Sequence, residues 1–74
     1  MLAFPNPAND YVTIGNLSGK GILTMFDIFG RPVVKHQVTS VEEKIFVRHL
    51  HQDTYVVQVT EGDDIVRTIQ VIVE

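Results

Sequence analysis

The chain has 74 residues, 45% of them hydrophobic, with a formal net charge of −3 and no cysteine. That is enough for one domain around one core, and too apolar for a disordered segment. The six Lys and Arg are scattered, which excludes a basic nucleic-acid face or a patch for an anionic membrane, and no apolar run approaches the roughly 20 residues of a membrane-spanning helix.

Met1-Leu2-Ala3-Phe4 runs straight into Pro5-Asn6-Pro7, with no basic region or long apolar stretch of a secretory leader. The abrupt start predicts a domain excised from a larger protein. The missing cysteines favour a cytosolic home without excluding export. Two prolines fix φ twice and keep Phe4 and Asn6 out of the α region, so the chain starts extended and kinked. Ala8-Asn9-Asp10 reads as a turn and Tyr11–Ile14 as a short strand. After a Gly- and Ser-containing loop, residues 20–29 form the next strand, with Leu23 and Met25 on one face. A hairpin turn over 27–31 follows, in which Gly30 is expected at positive φ.

Pro32 to Val38 returns as a strand, Pro32 fitting only its first position or an edge. Thr39 to Glu43 is a polar connection too short for a stable helix. In residues 44–49, Ile45 and Val47 point inward and Phe46 and Arg48 outward. Leu50 to Tyr55 forms a corner ahead of the central strand, whose Tyr55, Val57 and Val59 share a face. In Ig-like sandwiches such a tyrosine bonds back to backbone a few residues upstream. Glu61 to Asp64 is a tight acidic turn, and residues 65–74 form the last strand. The pattern predicts an all-β, Ig-like antiparallel sandwich of about seven short strands. Leu23, Met25, Val34, Ile45, Val47, Tyr55, Val57, Val59, Ile69 and Val71 are its expected core.

Little in the chain carries chemistry. His49 and His51 sit two apart and could join His36 at a metal, but strand geometry breaks at the corner and a zinc site needs converging ligands. Surface histidines are the better reading. Glu61, Asp63 and Asp64 lack the ligand spacing of a calcium loop. There is no nucleophile elbow and no phosphate loop. No catalytic residue, metal or cofactor is expected. Asp27 can bond its own turn's N–H groups, whereas Arg31 has no evident structural need.

Four pieces stand in order: Pro5-Asn6-Pro7; Leu23-x-Met25-Phe26-Asp27 with Gly30-Arg31 and Val33-Val34; Leu50 with Tyr55-x-Val57-x-Val59; and Arg67-x-x-x-Val71-x-Val73. Together they resemble the type A C-terminal sorting domain of the type IX secretion system of Bacteroidetes-type bacteria, over nearly the whole chain. The family usually has Gly where Asp53 stands, a change that Asp's tolerance of the left-handed region accommodates.

The resemblance implies a non-enzymatic signal at the end of a larger exported protein, fused to an N-terminal cargo such as a protease or glycan-active enzyme. It implies transit through the periplasm and recognition by an outer-membrane translocon. Removal by a sortase-like peptidase, cutting ahead of the folded domain, follows at the cell surface or outside. Pro5, Asn6, Pro7, Asp27, Gly30, Arg31, Leu50, Tyr55, Arg67, Val71 and Val73 are the residues it marks for sorting.

The competing readings are an Ig-like structural or adhesive module and a small carbohydrate-binding sandwich. The latter is disfavoured because there is no Trp and because Tyr11, Phe26, Phe46 and Tyr55 are wanted by strands. The last strand is expected to leave one edge open, with Val66, Thr68, Gln70 and Ile72 facing away from the core. No proline or lysine guards it, so a receptor could extend it by strand addition. Arg67 shares the inward phase, which fits only beyond the sandwich's end.

Overall fold

The computed structural model describes residues 1–74, the side chain of Val66 excepted. Seven strands form: β1 (Leu2–Phe4), β2 (Tyr11–Gly15), β3 (Ile22–Phe26), β4 (Pro32–Gln37), β5 (Glu43–Phe46), β6 (Asp53–Glu61) and β7 (Asp64–Val73). They build two antiparallel sheets, ordered β1-β2-β5 and β4-β3-β6-β7. No helix occurs among the described residues. The expected all-β sandwich is therefore what the chain forms.

Period-two alternation decides the packing. Val12, Ile14 and Ile45 from one sheet, with Val47 just past the end of β5, face Leu23, Met25, Tyr55, Val57, Val59, Val71 and Val73 from the other, and all are buried. Each such side chain removed from water contributes about 1.5–3 kcal/mol. Val34 and Ile69, both expected in the core, are only half-buried. Val34 lies on the edge strand β4, and Ile69 on β7, which has a strand partner on one side only. Neighbours therefore cover each incompletely.

Three further core residues come from outside the strands. Ala8, expected in a turn, is fully buried and makes an isolated parallel bridge to Val73. Leu17 and Val38 plug the sandwich from loops; their N–H groups donate to the carbonyls of Val41 and Gly21. The extended N-terminal stretch also pairs as a strand: Leu2–Phe4 lies against Thr13–Gly15. Gly21 has φ +107, and a Cβ there would sit 2.5 Å from the Thr60 carbonyl oxygen, so no larger residue fits without movement.

Strand demand does not bury every aromatic. Tyr11 and Phe46 are opposite each other on the outer face of the three-stranded sheet, and Phe46 is 64% exposed.

Candidate functional site

Asp27, Gly30 and Arg31 occupy the turn between β3 and β4. The Asp27 carbonyl accepts from the Gly30 N–H at 3.0 Å, and the Asp27 N–H donates to the Arg31 carbonyl at 2.9 Å. Gly30 has φ +82, as the hairpin requires: a tight turn followed by one left-handed residue. Asp27 Oδ1 accepts from the N–H groups of Phe29 and Arg31, both at 2.9 Å. Asp27 Oδ2 takes the Arg31 Nε–H, also at 2.9 Å. Arg31 thus has a structural partner that its isolation in the sequence did not suggest, and its guanidinium also lies 5.7 Å from the Phe29 ring centre. These donors, led by the Arg31 backbone N–H, hold the Asp27 carboxyl below its usual value against a smaller opposing effect of burial.

The corner ahead of β6 closes as expected. The Tyr55 hydroxyl donates to the His51 carbonyl at 2.7 Å. Burial, then the charges of Asp53 and Asp27, push the Tyr55 hydroxyl pKa up. Asp53 does not take a positive φ, so the left-handed conformation weighed for it is not used. Instead its carboxylate accepts from the Thr54 N–H at 2.8 Å. Leu50 is half-buried against the core, its N–H bonded to the Val47 carbonyl.

The largest departure from expectation is the edge of β7, which is not open along its final residues. The Asn6 side chain donates from Nδ2 to the Gln70 carbonyl at 3.2 Å and accepts at Oδ1 from the Ile72 N–H at 2.8 Å. Ala8 continues the pattern: its N–H donates to the Ile72 carbonyl at 2.7 Å, and its carbonyl accepts from the Glu74 N–H at 2.8 Å. A primary amide presents one acceptor and a donor pair, so it can stand in for a peptide unit. Pro5 and Pro7 have no N–H, so the strap's backbone cannot donate at those two positions. Both proline peptide bonds are cis. Of the outward positions expected on β7, Thr68, Gln70 and Ile72 are exposed, while Val66 lies outside the described side chains.

These contacts gather the marked residues. Phe26 pairs with Val56, and Asp53 with Val73, so the Asp27–Arg31 turn, the Tyr55 corner and the end of β7 share one end of the sandwich. The Pro5-Asn6-Pro7 strap joins them there. Arg67 is apart. It pairs with Val59, six residues before Val73, which is roughly 20 Å along the strand. There it lines a cavity of about 260 Å³ with Asn16, Leu17, Ser18, Val59 and Glu61. A register shift between Val59 and Thr60 precedes that end, and Arg67 stands exposed at the sandwich's limit despite its inward phase.

The three histidines do not converge. His36 bonds Glu43 at 2.8 Å, His51 lends its carbonyl to Tyr55, and His49 is exposed. Glu43 also accepts from the N–H groups of Thr39 and Ser40 at 2.9 and 3.0 Å. The Thr39 N–H first, then His36, hold the Glu43 carboxyl below its usual value. Among the described residues no group of three metal-binding side chains is found.

The chain matches the family described as secretion system C-terminal sorting domain over residues 2–74. No curated protein matches it.

Proposed function

The chain belongs to the family of secretion system C-terminal sorting domains, and from that premise we propose how the domain is read. It is a C-terminal sorting signal for type IX secretion, and directs export to the cell surface or beyond. Sorting domains of this family are not themselves catalysts. In our reading the domain closes a larger protein, with the cargo fused ahead of residue 1. The cargo passes through the periplasm, the outer-membrane translocon recognises the folded domain, and a sortase-like peptidase then cuts upstream of it.

The recognition surface is the end of the sandwich where strap, Asp27–Arg31 turn and tyrosine corner meet. The observation that supports this is the Asn6 clamp, which draws residues from opposite ends of the sequence to one place. Gly30 and Arg31 are exposed there, the Arg31 side chain to 75%, while the Asp27 carboxylate that holds the turn behind them is only 11% exposed.

The test is a reporter fused ahead of residues 1–74 in a type IX-competent bacterium. The reporter should reach the surface or medium, and should remain in the periplasm when the domain is deleted. Equal export without the domain overturns the reading. Arg31→Ala should keep the fold, because an exposed ion pair contributes little to stability, yet should reduce export. Normal export of the folded variant removes Arg31 from the recognition surface.

A further inference from the structure

On the side of the sandwich away from the strap, β4 and β5 are the last strands of their sheets, and neither has a strand partner beyond it. Between them runs an open groove of about 460 Å³, with Val34 and Ile45 among its apolar lining and Lys35, Lys44 and His49 along it. The His36–Glu43 bond links the two strands across it at 2.8 Å.

The charge here is uneven for a protein of net charge −3. Lys20, Arg31 and Arg48 each lie within 4 Å of a carboxylate. Lys35, Lys44 and Arg67 have no such partner among the described residues, and the two lysines line this groove. Lys44 rests its ammonium 4.4 Å over the Tyr11 ring, which positions the cation without neutralising it. Glu43, next to Lys44 in the chain, is already occupied by His36 and the Thr39 and Ser40 N–H groups.

We propose that this groove is a binding site for an extended acidic peptide, which adds as a strand to the free edge of β4 and sets its carboxylates against Lys35 and Lys44. Unpaired backbone groups on an edge strand supply main-chain hydrogen bonds, and side chains flanking the edge select the sequence that pairs with them. Lysine on an edge also deters uncharged strands. The same charge admits an acidic one, by electrostatic complementarity. This surface lies on the opposite edge of the four-stranded sheet from the strap and starts at Val33, two residues past the Asp27–Arg31 turn; the proposal does not depend on how the strap and the turn are recognised in export.

The experiment follows the backbone amide resonances of the isotope-labelled 74-residue chain during titration with a short capped peptide alternating Glu and Thr. A matched peptide alternating Lys and Thr and an acidic oligosaccharide serve as competing probes. The acidic peptide should shift the amides of Val33 to His36 and Lys44 to Phe46, more strongly at low salt than at ~0.15 M. The variants Lys35→Ala with Lys44→Ala, and Lys35→Glu with Lys44→Glu, should weaken binding about tenfold or more. Unchanged resonances from Val57 and Val71 establish that the variants keep the fold. The proposal is overturned by no shift up to ~1 mM peptide, by equal binding of the basic peptide, by shifts centred elsewhere, or by an oligosaccharide that occupies the groove while the peptide does not.

Discussion

Replacing Asn6 by alanine tests the strap directly. The substitution deletes a donor 3.2 Å from the Gln70 carbonyl and an acceptor 2.8 Å from the Ile72 N–H, and leaves both Ala8 bonds in place. A typical intramolecular hydrogen bond contributes ~0.5–1.5 kcal/mol net. Asn6 is exposed, so water can partly replace the lost partners, and the two together should cost about 1–2 kcal/mol. For a domain of this size each kcal/mol lowers Tm by about 4–8 °C, so the midpoint should fall by roughly 5–15 °C. Asn6→Asp keeps the acceptor for Ile72 but turns a carboxylate toward the Gln70 carbonyl, and should fall at least as far as a single lost bond. Thermal unfolding gives the stability, and amide exchange gives the site: the Ile72 N–H should exchange faster in Asn6→Ala while the Val57 N–H keeps the protection set by the remaining global stability. A Tm within one degree of the parent, with Ile72 exchange unchanged, would refute the edge-clamp argument.

Two further outcomes are expected. Gly30→Val places a β-branched residue at φ +82, where no neighbour lies within 4 Å of the new Cβ, so the cost is backbone strain alone; urea unfolding should show a loss of about 1–3 kcal/mol, and Gly30→Asn a smaller one. Acid should destabilise the domain through Asp27 and Glu43. Both carboxyls are depressed in the folded state, so their contribution is complete above the ordinary values of 3.8 and 4.5 and is lost as pH falls through and below them. Tm measured across that window should fall less steeply in Asp27→Asn and Glu43→Gln than in the parent.

The strands were legible because β-branched and aromatic residues alternate over each of them, and so was most of the core. Tyr55 and Gly30 were legible too, since a corner and a hairpin turn are set by residues close in sequence: the tyrosine reaches back only to His51, and Gly30 only to Asp27. What escaped was contact between distant segments. Asn6 bonds backbone 64 and 66 residues away, and nothing in Pro5-Asn6-Pro7 announces where an amide will be received. Ala8 and Leu17 are core residues in segments with no periodicity to reveal them. The open edge inferred for β7 followed from strand order alone, which is blind to a strap that pairs without being a full strand. The Arg31 pairing is hard to see in sequence for a smaller reason: one oxygen of Asp27 serves the turn's N–H groups, and only its second oxygen is left to receive the guanidinium.

The strap's direction has a mechanical consequence. Residues 6–8 run parallel to the end of β7, as the Ala8–Val73 bridge shows. Once β1 has parted from β2, a pull outward through the two chain ends drags the strap one way and β7 the other, along their shared axis. The Asn6 and Ala8 bonds lie across that axis and are strained together in sliding, so none can open first and hand its load to the next. A cargo tugging on the N-terminal side while the C-terminal strand is gripped would meet its resistance at this seam.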